Sequence, residues 1–148
     1  MNRPGRVWAI LLLAAGTCAA ADPSTGNLRV AVHLPPGATG EVRVALCSSL
    51  SEFLDRKPPS HVASQAAGES SVLLFTNLPP GTYALKAYLD LNGNRNLDRD
   101  WRGRPREPWA ISNGVRAKPA RTSWKKATFP FQPFSSQPTP PPRLDLKM

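Results

Sequence analysis

Apolar and polar residues alternate in several short stretches of this chain, and the clearest stretch covers residues 81–89. Tyr83, Leu85 and Leu89 occupy its odd-numbered positions, whereas Lys86 and Tyr88 occupy even-numbered ones. Because successive side chains of a strand point to opposite faces, this pattern predicts a strand with one buried face. The same alternation predicts four more strands, at residues 28–34, 41–47, 124–131 and 144–148.

Residues 72–75 are apolar at every position, which predicts a further strand that is buried on both faces and central in its sheet. Prolines and glycines between the alternating stretches mark turns, as in the segment 77–81. Together these patterns give six or seven short strands. The sequence therefore favours an all-β fold, an antiparallel β-sandwich.

One short helix interrupts the strands. Leu50, Phe53 and Leu54 have helical spacing, and Ser49 followed three residues later by Glu52 predicts a capping box. The prolines at 58 and 59 end this helix. Residues 60–70 are then expected to form a polar connection, and residues 90–123 a long irregular stretch with a role of its own.

The first 21 residues have the features of a secretory signal peptide. A basic start is followed by a nine-residue apolar run and by small residues that offer cleavage after Ala20 or Ala21. This run is too short for the roughly 20 residues of a spanning helix, and no transmembrane segment is predicted elsewhere. Lipidation at Cys18 is the alternative. The expected mature protein, periplasmic or secreted, is a single domain over residues 22–148, with a proline-rich connection at 133–142 before a last edge strand.

Charge and cysteine content limit the classes of partner and of stabilising bond. The formal net charge is +9, and it falls to +7 when the leader is removed. Cys47 is then the only cysteine left, so no internal disulfide is possible. At the end of an apolar strand it is interpreted as a small hydrophobic residue rather than a catalytic thiol.

Oxygen-bearing side chains recur at every second position directly after the strand of residues 81–89. A calcium-binding loop uses this spacing to direct alternate ligands to one cation, and the predicted Ca²⁺ ligands are Asp90, Asn92, Asn94, Asn96 and Asp98. Asp100 or Glu107 would complete the coordination shell. The alternative needs no metal, since Asp and Asn side chains also accept hydrogen bonds from their own backbone in successive turns.

Three segments carry a resemblance to a known family. They are L-P-P-G-T-Y-A, then D-x-N-G-N-x-x-L-D, then G-x-P-x-E-P-W-x-x-S-N, and in this order they resemble the secreted bacterial domain-of-unknown-function family 2141. The resemblance covers residues 27–148. It implies a periplasmic or extracellular sandwich similar to transthyretin-like and carboxypeptidase-regulatory modules, with no known enzymatic activity. Arg95 stands where the family has a second glycine, and residues 124–126 replace its F-x-D segment.

A basic stretch suggests the kind of partner. Residues 95–126 contain ten Lys or Arg against three acids, with Trp101, Trp109 and Trp124 among them. This composition is typical of surfaces for polyanions. An exported protein rarely meets nucleic acid and no nucleic-acid motif is present, so an unknown protein or an anionic envelope polymer is the expected partner. The alternative is a solvated loop with its tryptophans packed inward.

The sequence does not favour an enzyme. His33 and His61 have no evident catalytic partner, and Ser112 does not lie in a nucleophile elbow. A hydrolase that uses Asp90, Asp98 and Glu107 is the third hypothesis, after a calcium-binding module and a metal-free adaptor domain.

Overall fold

The computed structural model describes residues 25–68, 71–116, 120–133 and 142–146. The predicted signal peptide and most of the proline-rich connection lie outside these residues. The described strands are β1 Gly26–His33, β2 Glu41–Cys47, β3 His61–Ala66, β4 Ser71–Leu78, β5 Gly81–Asp90, β6 Trp109–Ile111, β7 Phe129–Phe131 and β8 Arg143–Asp145. The helices are α1 Leu50–Phe53 and α2 Arg121–Ala127, and a 3-10 turn covers Ser112–Gly114.

Two sheets form a β-sandwich, as the sequence predicts. One has the order β4-β1-β8 and the other the order β3-β2-β5-β6, with β7 paired to the start of β5. Every pair is antiparallel except β1 with β8, which run parallel. The last strand lies at a sheet edge, and this confirms the expected edge strand at the end of the chain.

The core lies between the two sheets and is built from alternate residues of each strand. In β2 and β5, Val42 faces Leu89, Val44 faces Ala87 and Leu46 faces Leu85 in register. Their partners from the other sheet include the fully buried Val30 and Val32 of β1 and Leu144 of β8. The apolar residues at alternate positions of β5 therefore face the core, as predicted.

A second, smaller apolar cluster lies on the outer side of the five-stranded sheet. Phe53 of α1 is fully buried there with Ala84 and Cys47, and its ring centroid lies 5.4 Å from that of Trp124 in α2. Burial raises the pKa of the Cys47 thiol to about 11, so this thiol is neutral and packs as a small hydrophobic residue. This cluster covers the outer face of the sheet at the start of β5. It does not cover the rest of that face.

Four expectations about the elements are wrong. Residues 124–127 belong to α2 rather than to a strand, because Ser123 and Ala127 are buried at helical spacing beside Phe53. Residues 61–66 form β3, whose polar residues suit the edge position beside β2. Strand β4 lies at an edge and not in the centre, and Val72 and Leu74 are half exposed on its outer face. The stretch 90–123 also contains β6.

Glu52 ties the start of α1 to the connection before β3. Its carboxylate accepts hydrogen bonds from the amide and hydroxyl of Ser48 and from the amide and hydroxyl of Ser60. Ser49 caps the helix by accepting from the amide of Glu52, and its hydroxyl donates to the Glu52 carboxylate. The reciprocal bond of the predicted capping box is shifted by one residue, since the carboxylate accepts the amide of Ser48 and not that of Ser49. Burial raises the pKa of Glu52, but the hydrogen bonds from Ser48 and Ser60 outweigh it and lower the pKa from 4.5 to about 2.

Replacing Glu52 by Gln tests this brace. At pH 6 we expect the free energy of unfolding to fall by about 1–3 kcal/mol, because charge-assisted hydrogen bonds are lost. The folded-state pKa is lowered, so the contribution of the carboxylate is present above pH 4.5 and disappears as the pH falls through about 2. Urea unfolding of both proteins between pH 6 and pH 2.5 measures the difference, which should shrink on acidification. A difference that stays constant over this range would contradict the assignment.

Candidate functional site

The Asp/Asn-rich loop begins where β5 leaves the sheet, and the carboxylate of Asp90 organises it from within. Asp90 is 1 % exposed. One of its oxygens accepts a hydrogen bond from the amide of Gly93 and the other from the amide of Arg95, both at 2.7 Å. The loop therefore wraps its own backbone around this carboxylate.

The electrostatics of Asp90 follow from these bonds. Burial raises the pKa of its carboxyl, but backbone N–H groups, first that of Arg95 and then that of Gly93, outweigh burial and hold the pKa below its ordinary value. The ionised form is therefore the one that the loop stabilises. Its contribution to folding is present above the unfolded-state pKa and is lost on acidification.

Glu107 holds the loop from its other end. Its side chain is buried, and its two oxygens accept hydrogen bonds from the amide of Leu91 at 2.9 Å and from the amide of Asp98 at 3.0 Å. The sequence suggested Glu107 as a supplementary metal ligand or as part of a hydrolase site, and in this structure it accepts backbone amides of the loop. An acidic residue next to Pro108 and Trp109, before a short apolar strand, is the signal that could have indicated a buried carboxylate.

The remaining predicted site residues converge on Asp98. The side-chain amides of Asn92 and Asn94 donate to its two carboxylate oxygens at 2.7 and 2.8 Å. The Asn92 oxygen accepts from the amide of Asn94, and the Asn94 oxygen accepts from the amide of Asn96 at 2.8 Å. The structure thus brings all five residues into one loop, with the pattern of successive Asx turns.

This pattern has consequences for the calcium hypothesis. The oxygens of Asp90 and Asp98 already have N–H partners, and the described residues contain no group of three or more His, Cys, Asp or Glu that could hold a metal ion. The turn network that the sequence offered as the alternative is the arrangement observed in this structure. Ca²⁺ binding stays a prediction.

Backbone conformation explains two details of the loop. Arg95 has a φ of 63°, in the left-handed region that non-glycine residues rarely adopt. Gly40, which follows β1 and precedes β2, approaches the end of β5 so closely that a Cβ there would overlap the carbonyl oxygen of Asp90. Only glycine leaves room for the loop to start at this point.

After the Asx turns, the chain makes a tight turn over residues 99–105. Arg99 and Pro105 pair in an isolated bridge, and the amide of Asp100 donates to the carbonyl of Arg104 at 2.9 Å. The Asp100 carboxylate accepts from the amides of Arg102 and Arg104. We call residues 99–105 the basic turn.

The three tryptophans of the basic stretch have different positions. Trp109 and Trp124 are half-buried against the outer apolar cluster, as the inward-packing alternative predicts. Trp101 is 86 % exposed at the tip of the basic turn, and the Arg102 guanidinium lies 4.3 Å from its ring centroid. The most exposed of the three tryptophans is therefore also the one that stacks with an arginine.

Ser112, which the sequence considered for catalysis, has structural partners. Ser112 is fully buried, accepts a hydrogen bond from the amide of Leu85 and donates to the carbonyl of Ala127. The Asn113 side chain donates to the carbonyls of Lys126 and Thr128. This serine–asparagine pair joins β6 to β5 and to the end of α2.

A sequence model of the bacterial family described as "Uncharacterized protein conserved in bacteria (DUF2141)" matches residues 30–137. The chain belongs to this family. No curated protein and no solved structure gives a significant match. In this DUF2141 member, the segments that carried the resemblance form the turn before β5, the Asp90 loop, and the braces made by Glu107, Ser112 and Asn113.

We predict that Glu107→Gln destabilises the protein by about 1–3 kcal/mol, because one of the two loop amides then faces an NH₂ group of the buried side chain and loses its charged acceptor. Glu41→Gln is the matched control: it removes a partly exposed ion pair with Arg43 and should cost less than about 1 kcal/mol. Urea unfolding at neutral pH measures both. Equal effects of the two substitutions would show that Glu107 does not hold the loop.

Proposed function

We propose that this protein is an exported, non-enzymatic binding module that docks on an anionic polymer of the cell envelope through its basic turn. The observation that carries this proposal is the exposure of Trp101 at the tip of a turn whose backbone is braced by Asp100. Tryptophan and arginine are enriched among the residues that contribute most of the binding energy at interfaces.

Charge supports an anionic partner. Residues 99–106 contain four arginines and one acid, Asp100, so this short segment carries a net charge of +3. The Arg104 guanidinium lies 3.9 Å from the Asp100 carboxylate, and both groups are partly exposed. Such a concentration of positive charge attracts a polyanion in a salt-dependent way.

Export is the part of the proposal that comes from the sequence. The leader of residues 1–21 would direct the chain to the periplasm or the medium, where anionic envelope polymers are available. Among the described residues, none of the helices is both long and apolar enough to cross a membrane. A basic mature domain with one buried cysteine suits an oxidising compartment without a disulfide.

The state of the acidic side chains supports a non-enzymatic role. In the hydrolase hypothesis, Asp90 and Glu107 would exchange protons with a substrate, but each of their carboxylate oxygens accepts a backbone amide within the loop. Asp98 accepts two asparagine amides. These carboxylates therefore act as acceptors that fold the loop, and no pair among them is free to serve as acid and base.

Trp101→Ala should weaken binding of the protein to an immobilised anionic polysaccharide by about tenfold, because the exposed ring contributes stacking and apolar contact. Val72→Thr, which alters a half-exposed residue on the other sheet, is the matched control and should leave binding unchanged. Binding is measured by surface plasmon resonance at several salt concentrations.

The same measurement tests the charge. Arg102→Gln should weaken binding and lower its salt dependence, whereas Arg29→Gln on β1 should do neither. If Trp101→Ala binds like the unaltered protein, or if both arginine variants lose affinity equally, the basic turn is not the docking site. Anionic lipid vesicles serve as a second probe, and preference for vesicles would overturn the polymer as partner.

We further propose that the Asp90 loop binds Ca²⁺ weakly. Two observations favour it: the side chains of Asn92, Asn94 and Asp98 already converge, and Arg95 has the left-handed φ that the sixth position of a calcium loop requires. Ca²⁺ would replace the two amide groups as the partner of Asp98. Because Arg95 and Arg99 add positive charge, the dissociation constant is expected at about 10⁻⁴–10⁻³ M.

Melting in about 10 mM Ca²⁺ and in chelator tests this binding. At a concentration about ten times the dissociation constant, Ca²⁺ stabilises by about 1.4 kcal/mol and should raise Tm by roughly 3–6 °C. Asp98→Asn should abolish the rise, while Mg²⁺ at equal ionic strength should not produce it. Identical Tm values in Ca²⁺ and in chelator would remove calcium from the account and leave the Asx-turn loop in place.

A further inference from the structure

The register of the five-stranded sheet places two rows of side chains on its outer face. Arg43 of β2 pairs with Tyr88 of β5, and Tyr88 pairs with Trp109 of β6. The second row lies two residues along these three strands and extends to β3, where Val62 pairs with Ala45, Ala45 with Lys86, and Lys86 with Ile111. Directly paired residues share a face, so these rows form a floor with two neighbouring aromatic side chains and a small residue, Ala45, at its centre.

Two walls rise from this floor and enclose a cleft of about 500 Å³. One wall is the loop that Asp90 and Glu107 hold, represented by Arg95, Leu97 and Arg99. The other is the segment after α1, represented by Asp55 and Pro59. The volume lies within the roughly 300–1,000 Å³ of small-molecule sites.

The charges of the cleft are distributed unevenly. On the floor, Arg43 bonds Glu41 at 3.1 Å, and Lys86 forms an ion pair with Asp55, so both floor cations have acidic partners. On the loop wall, Arg99 donates to the carbonyl of Gly103 but has no carboxylate partner in the described part of the chain. The guanidinium of Arg95 forms no hydrogen bond or ion pair with any described residue. The loop wall is therefore the place where an anion would be neutralised.

We propose that this cleft binds a small anionic ligand built on a planar ring. The ring lies on the floor against Tyr88 and Trp109, above the space that Ala45 leaves, and a single carboxylate or phosphate group contacts Arg95 and Arg99. Aromatic floor residues favour a flat apolar body, and guanidinium groups favour a planar or tetrahedral oxyanion. Trp101 does not line the cleft, but Arg99 and Pro105 of the basic turn do, so this site adjoins the docking surface for an envelope polymer and shares Arg99 with it.

A probe set with a constant ring separates the parts of this recognition. 2-Naphthoate and 2-naphthyl phosphate distinguish a carboxylate from a phosphate, 2-naphthalenemethanol is the neutral ring, and inorganic phosphate is the anion without a ring. Isothermal calorimetry on the purified protein should show at least one anionic naphthalene binding about tenfold more tightly than the neutral one. Inorganic phosphate should bind more weakly still. Equal affinity for the charged and neutral rings would overturn the proposal.

Substitutions then locate the site. Ala45→Phe should abolish binding of the better probe by filling the floor, and Ala45→Val, which a strand accommodates readily, should weaken it. Arg95→Gln should weaken the anionic probe about tenfold and leave the neutral ring unaffected, while Arg29→Gln on β1 changes neither. Retained affinity in both Ala45 variants, or equal losses in Arg95→Gln and Arg29→Gln, would place the probe elsewhere. Trp101→Ala should bind the naphthalene probes normally, which distinguishes failure of this site from failure of the polymer surface.

Discussion

Two buried carboxylates, Asp90 and Glu107, decide what this sandwich can present to a partner. The backbone amides of a loop that leaves a sheet donate hydrogen bonds to water or to the protein, and an ionised carboxylate accepts the stronger hydrogen bond. Asp90 satisfies two amides at the start of the loop, and Glu107 satisfies one at each end. The longest excursion between strands is therefore ordered from the inside, without a disulfide.

Strand β5 is the element on which this arrangement is built. It pairs with β2 on one edge and with β6 and β7 on the other, and its inner face contributes much of the core. The turn before it is fixed by the Tyr83 hydroxyl, which donates to the carbonyl of Pro79 at 2.9 Å. Its exit is fixed by the close approach of Gly40. These contacts thus secure the two ends of β5 and the start of the loop that follows.

The sequence predicts well those parts of the fold in which a residue pattern is compatible with only one local structure. Alternation in β5 follows directly from burial of one face, and the helix cap at Ser49 and Glu52 is local. The sequence does not predict strand β3, because an edge strand exposes polar residues and so lacks a clear apolar alternation. The sequence does not predict helix α2, because its buried residues Ser123 and Ala127 are small and give no apolar pattern. Its position also depends on a tertiary contact between Trp124 and Phe53.

The sequence predicts which residues form the loop but not how they are connected. The spacing of Asp and Asn serves a cation or a set of Asx turns equally well, and it does not specify which oxygen accepts which amide. The role of Glu107 depends on a contact with Leu91, sixteen residues earlier, that no local pattern encodes. The cleft beside the loop depends on strand register, which places Arg43, Tyr88 and Trp109 in one row.

Amide hydrogen exchange of the unaltered protein tests most directly whether Asp90 and Glu107 order the loop. The amides of Leu91, Gly93, Arg95 and Asp98 should exchange far more slowly than those of a free chain, with protection close to that of the β5 amides. Exchange of these four amides at free-chain rates, while β5 stays protected, would contradict the account.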